Sequence, residues 1–114
     1  MDEVSHGTIT IAPNVLNTIA RLTTLNVAGV ARLGASGRLL RANDGVIVEV
    51  INGRVKADIY IQVKPETSLF EIGQKIQHEV ARSIKEIVGM DIESVNVHIQ
   101  DVDYPTAEAA AKLR

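Results

Sequence analysis

Three histidines, two serine contexts and a few clustered carboxylates are the residues of this chain whose types could do chemistry. A nucleophile needs a base beside it and a third group to orient that base. Cysteine is absent, which removes thiol catalysis, disulfides and cysteine-based zinc sites together. Ser5 and His6 are adjacent, but they lie in an N-terminal stretch expected to fray, and no Gly-x-Ser-x-Gly elbow occurs. Ser36 sits in Gly34-Ala-Ser-Gly37, without the strand-to-helix turn that presents a hydroxyl for attack. His98, Asp101 and Asp103 could be drawn as a metal cluster, and His78 precedes Glu79. Neither spacing matches a ligand pattern such as His-Glu-x-x-His. His78 is therefore assigned to a solvated helix face and His98 to an outer sheet face. Phosphate-cradling glycine loops are missing as well. No catalytic, cofactor-binding or metal-ligating residue is expected, and the chain is read as a non-enzyme.

One pattern hints at nucleic acid. Gly34 and Gly37 form a Gly-x-x-Gly with Arg32, Arg38 and Arg41 around it, and KH modules clamp an RNA backbone with such a loop. The alternative function is thus a KH-like RNA-binding module using Gly34, Gly37, Arg38 and Arg41. Against it stands the charge balance: 12 basic and 14 acidic residues, net −2, with a pI near 5.9. Domains that grip phosphates carry a basic excess. The loop also follows a short apolar strand instead of joining two helices. Nucleic acid is not the expected partner, and the bland reading is a turn whose glycines supply backbone freedom.

The elements that must position any site follow from periodicity. Gly7-Thr-Ile-Thr-Ile11 alternates and predicts a short strand. Pro13 opens a helix to about Leu25, with Val15, Leu16, Ile19, Leu22 and Thr23 at helical spacing, Val27 packing past its end and Gly29 as the stop. Val30–Gly34 reads as a short strand, followed by a loop-like stretch between Gly34-Ala-Ser-Gly37 and Asn43-Asp-Gly45. Val46, Val48 and Val50 then alternate with Ile47, Glu49 and Ile51 up to Asn52-Gly53, the strongest signal for a two-residue hairpin turn. That turn sets a register of Ile51 with Arg54, Val50 with Val55, Glu49 with Lys56, Val48 with Ala57, Ile47 with Asp58 and Val46 with Ile59. Apolar meets apolar on one face and Glu meets Lys on the other; a one-residue slip would destroy both matches.

Ser68-Leu-Phe-Glu71 has the form of a capping box. From Leu69 through Ile72, Ile76, Val80, Ile84 and Ile87 or Val88 an apolar stripe follows, opposite a wet face of Gln74, Lys75, Gln77, His78, Arg82, Lys85 and Glu86. Val95-Asn-Val-His-Ile99 is the last alternation. The strand from Val55, the long helix and this strand form a crossover that sets the outer strands parallel. The order β-α-(β)-β-β-α-β implies an α+β fold: two layers, with both helices on one face of a mixed sheet of three to four strands.

At 114 residues, with 46% hydrophobic and 23% charged residues, the chain fits one domain. Residues 1–6 read as a mobile N-terminal extension, 7–104 as a single domain and 105–114 as a short alanine-rich tail. The start is acidic, unlike a signal peptide, and no apolar run approaches the ~18 residues of a spanning helix, so direct membrane insertion is not expected. The remaining candidate is a surface. Lys56, Tyr60 and Gln62 line one strand's outward face and His98 another's, and these four are the expected contact patch for a protein partner or a second copy.

Taken in order, several segments resemble the alkaline shock protein family, also called the envelope stress response family. They are Gly7-Thr-Ile-Thr-Ile-Ala12, Val27-Ala-Gly-Val30, Gly45-Val-Ile-Val48, Asp58-Ile-Tyr-Ile61, Ile76-Gln-His-Glu-Val80 and Val95-Asn-Val-His-Ile-Gln-Asp-Val102. The resemblance spans about residues 7 to 103. It implies a bacterial cytoplasmic protein serving cell-envelope homeostasis and stress response without catalysis or cofactor, often near the membrane through a small membrane-anchored partner. No catalytic residues come with the family. Two departures bear on the partner surface: Asn26-Val27-Ala28 stands where relatives often carry acidic residues, and Pro65-Glu66 where they tend to have glycine.

Overall fold

The computed structural model describes residues 6–34 and 45–103. Two helices, α1 (Pro13–Leu25) and α2 (Leu69–Ile87), and four strands, β1 (Val30–Leu33), β2 (Val46–Ile51), β3 (Arg54–Val63) and β4 (Asp91–Val102), make an α+β fold. The long strand β3 is the spine of the sheet. β4 runs parallel to it along one edge, while β2 and β1, both antiparallel, share the other edge end to end.

The hairpin forms as its sequence demands. Asn52 and Gly53 take φ of 51° and 77°, the left-handed pair that a tight hairpin turn requires. Every pairing from Ile51 with Arg54 to Val46 with Ile59 has the expected register. The crossover through α2 places β4 parallel to β3, with Asp58 opposite Asn96 and Tyr60 opposite His98.

β3 alternates strictly. Val55, Ala57, Ile59, Ile61 and Val63 are fully buried against the helices, and Lys56, Asp58, Tyr60 and Gln62 are half-buried on the other face. α2 contributes Ile72, Ile76, Val80 and Ile84, spaced by four, and α1 contributes Leu16, Ala20 and Thr24, also spaced by four. Each fully buried isoleucine stabilises the fold by about 1.5–3 kcal/mol. Val27 is buried just past α1, as expected.

Tyr60 is the seam where the two edge strands meet. Its N–H donates to Gly45 O and its carbonyl accepts from Gly34 N–H, both at 2.7 Å. Gly45 sits at φ +91°, and a Cβ there would lie 2.6 Å from Leu33 Cβ and 2.9 Å from Gly34 O. Only glycine lets the chain return so closely to the strand it left.

Three expectations need correction. Gly7–Ile11 joins no strand, and Ile9 is 94% exposed; alternation supplies propensity, but a strand is stabilised only by an edge that pairs with it. Ser68 makes no side-chain cap bond; instead Thr67 Oγ1 donates to Lys64 O at 2.7 Å, tightening the preceding turn. Of the residues assigned inward on α1, Leu16 is buried and Ile19 partly so, but Val15 and Leu22 face solvent.

Candidate interaction surfaces

The outer sheet face carries the four residues picked from alternation. Lys56, Tyr60 and Gln62 leave β3 on the side away from the helices, and His98 leaves β4 on the same side. Parallel pairing brings two of them together: the Tyr60 and His98 rings stack with centroids 4.4 Å apart and planes 13° from parallel. Lys56 is placed opposite Glu49 and Ser94, and Gln62 opposite Arg32 and Asp101. The patch is thus a row along β3 with one ring pair at its middle.

The ring pair is held from below by two residues that were not singled out. Asp58 Oδ1 accepts from Asn96 Nδ2 at 3.1 Å and lies 3.2 Å from His98 Nε2. Both sit in the same alternating rows, so their face was readable. Their contact was not, because it depends on the register of a parallel pair separated by a whole helix. A carboxylate orienting an imidazole is half of a hydrolytic constellation. Here, however, the imidazole lies on an open sheet with a tyrosine against its ring face, an arrangement suited to contact.

The drawn metal cluster disperses. Asp103 pairs with Arg32 at 2.8 Å, Asp101 Oδ1 accepts from the Val102 N–H, and His98 turns to Asp58. Among the described residues no group of three or more His, Asp or Glu side chains is placed to hold a metal ion. His78 lies on the exposed face of α2. Of the glycine loop, Gly34 is buried, bonded to β3, and packed so that the Gln100 amide fills the space a side chain would need; Gly37, Arg38 and Arg41 lie outside the described residues.

Two further surfaces come from the helices. Between α2 and β4, Leu69, Phe70, Gly73, Gln74, Gln77, Val97 and Ile99 line an open groove of about 450 Å³ with no charged side chain in its wall. Phe70 is 76% exposed there, and Gln77 Nε2 donates to Val95 O of β4 at 3.0 Å. On α1, Val15, Leu22 and Leu25 are exposed, with Ile11 just before the helix. At about 100° per residue these fall on one side, opposite Leu16, Ala20 and Thr24.

Charges frame α2. Its C-terminal Lys85 reaches Asp91 at the start of β4 at 2.8 Å, and Arg82 bonds Glu79 at 2.7 Å. The hydrogen bond from Lys85 holds the Asp91 carboxyl below the usual range, and that from Arg82 does the same for Glu79.

A model of the alkaline shock protein 23 family, described by its cell-envelope-related function, matches residues 1–104. The chain belongs to this family. Among curated proteins it is similar to the uncharacterized protein YqhY of Bacillus subtilis, 25% identical over 108 residues, covering 88% of this chain and 80% of that one. It is also similar to the uncharacterized protein Spy1535 of Streptococcus pyogenes, 26% identical over 102 residues, covering 84% and 79%. Among solved structures the fold resembles the MamM CTD in its copper form, with a TM-score of 0.61, 18% identity and coverage of 83% of this chain and 91% of that one. A zinc form of a MamM CTD variant gives 0.56, 20%, 82% and 90%. At such identities the likeness concerns the fold alone. Among the described residues of this alkaline shock family member, no helix is long and apolar enough to cross a membrane.

Proposed function

We propose that this chain is a non-enzymatic scaffold or adaptor domain of bacterial cell-envelope homeostasis and stress response, working in the cytoplasm. It acts through contact with a membrane-anchored protein, with itself, or with both. The family's cell-envelope-related description supports the setting. The observation that carries the mode of action is the outer sheet face, where the Tyr60 and His98 rings are stacked and His98 is tied to Asp58. An aromatic pair already fixed in one arrangement loses little side-chain freedom when a partner covers it, so more of the contact energy appears as affinity. Lys56 and Gln62 extend the row and supply polar groups of the kind found at an interface rim.

The test is affinity capture after mild crosslinking, from membrane and soluble fractions, with and without nuclease, comparing the wild type with a Tyr60→Ala/His98→Ala variant. A membrane protein recovered regardless of nuclease, and lost from the variant, is the expected result. Equal recovery by both proteins removes the sheet face from the reading. RNA recovered in its place, and released at moderate salt, overturns the adaptor function.

A further inference from the structure

Two features of the molecule fit each other. Gly7-Thr-Ile-Thr-Ile11 has the alternation of a strand, yet it lies in none, and Ile9 and Ile11 are exposed. β4, a strand of 12 residues, pairs among the described residues only with β3. Beside it lies the uncharged groove of Leu69, Phe70, Val97 and Ile99. We propose that the Gly7–Ile11 segment of one copy adds as a further strand to the outer edge of β4 in a second copy, seating Ile9 and Ile11 in the α2–β4 groove.

The faces match. Residues two apart on a strand share a face, so Ile9 and Ile11 point together and Thr8 and Thr10 point the other way. On β4, Val97 and Ile99 face the helix layer, while Asn96 and His98 face outward. An added strand with its isoleucines toward α2 therefore sets apolar against apolar, and its threonines extend the polar row of Asn96 and His98. Main-chain pairing supplies the affinity and the groove the selection, the logic of strand addition to an open edge. Charge agrees as well. Gly7 to Pro13 carries no charged side chain, and neither does the groove wall, while β4 bears Asp91 and Glu93 near its start and Asp101 near its end. A charged segment of either sign would be stripped of water against Phe70 and Ile99.

A second copy is required because of reach. The end of α1 is tied to the end of β3, where Lys64 N–H donates to Gly29 O at 2.8 Å, and the groove opens at this same end, beside the first turn of α2. The 13 residues of α1 span about 20 Å and carry Pro13 away from it. α1 also stands over β1 and β2, on the far edge from β4. Only Ala12 links Ile11 to Pro13, a span of about 7 Å, too short to cross β3 and β4. Donor and acceptor surfaces are different, so the contact is head-to-tail and propagates from copy to copy unless a ring closes. This rests on the self-association branch of the proposed function.

The experiment is sedimentation of the full chain over a concentration series, with a donor variant, Ile9→Asp, and an acceptor variant, Phe70→Asp. Both positions are exposed, and circular dichroism reports whether each variant is folded. The wild type is expected to grow in mass with concentration, and each variant alone to associate at least about tenfold more weakly. An equimolar mixture of the two is expected to form a one-to-one dimer, because the Phe70→Asp chain keeps its donor segment and the Ile9→Asp chain keeps its groove. A wild type that stays monomeric at every concentration overturns the proposal, as do variants that associate like the wild type. A mixture that fails to pair also overturns it, since a self-complementary contact would behave so. None of these outcomes touches capture of a membrane protein, so the two readings fail separately.

Discussion

The two helices use one rule on their inner sides and opposite rules on their outer sides. Both bury residues spaced by four: Ile72, Ile76, Val80 and Ile84 on α2, and Leu16, Ala20 and Thr24 on α1. Outside, α2 presents Gln74, Lys75, Gln77, His78, Arg82, Lys85 and Glu86 along its middle, and its exposed apolar residues, Leu69, Phe70 and Ile87, stand only at its two ends. α1 presents Val15, Leu22 and Leu25, and Arg21 is its only charged residue. A helix that is apolar on both sides ordinarily has something against both. The difference marks the middle of α2 as a surface suited to water and α1 as one whose apolar outer stripe runs along its whole length.

The largest effect expected from this contrast is in the core. Ile76→Ala removes a side chain with no exposed area and should cost about 2–5 kcal/mol. Leu22→Ala, on the outer side of α1, should stay within about 0.5 kcal/mol. Urea unfolding with an unchanged slope reads both. If Leu22→Ala proved as costly as a core truncation, the outer stripe of α1 would be covered in solution, and the contrast between the helices would extend to what packs against them.

The turns that flank the helices differ in the same direct way. Gly29, after α1, sits at φ +100°, and a Cβ there would lie 2.6 Å from Ile72 Cδ1 on α2. Gly29→Ala should cost about 1–3 kcal/mol, from left-handed strain together with displacement of Ile72. Before α2, Glu66 occupies φ +60°, where a non-glycine residue is itself strained. Glycine would adopt this conformation without that strain. Glu66→Gly should stabilise slightly, by about 0.5 kcal/mol, because relief of strain exceeds the added flexibility of the unfolded chain by a small margin. A loss of more than that in thermal melting would show that the Glu66 side chain makes a contact worth more than its backbone strain.

These contrasts also explain what was legible before the fold was known. The hairpin register was readable because Asn52-Gly53 is local and the pairing counts outward from it. The stripe of α2 was readable because its charged residues leave only one phase for the apolar ones. On α1 the neighbours Val15-Leu16 and Leu22-Thr23 satisfy two phases about 100° apart, and with a single charge nothing in the periodicity chooses between them. Gly7–Ile11 misled for a related reason: alternation describes a segment's preference, while a strand also needs an edge. At the candidate site, the shared face of Lys56, Tyr60, Gln62 and His98 followed from alternation. The hold of Asp58 on Asn96 and His98 did not, since it arises from parallel strands brought together by α2. The close return of Gly45 onto Tyr60 and Gly34 is likewise non-local.

The smallest expected effect is electrostatic and again separates the helices. Glu79 and Asp91 both titrate below the usual carboxylate range, chiefly through hydrogen bonds from Arg82 and Lys85 of α2. A depressed folded value means that the folded state binds the proton less readily than the unfolded chain. The stabilisation is complete above the ordinary carboxylate value and is lost as pH falls through the depressed one. Melting temperature should therefore decline slightly between about pH 5 and pH 3, and the contribution of these pairs should shrink in high salt because all four side chains are largely exposed. Val15, Leu22 and Leu25 on the outer side of α1 carry no charge, so apolar substitutions at these three positions should leave that slope unchanged. Replacing Asp91 by asparagine should flatten it by a small, reproducible amount. An apolar substitution at Val15, Leu22 or Leu25 that altered the acid limb as much as Asp91→Asn would place a carboxylate against the outer face of α1, and would show that this face meets an acidic surface in solution.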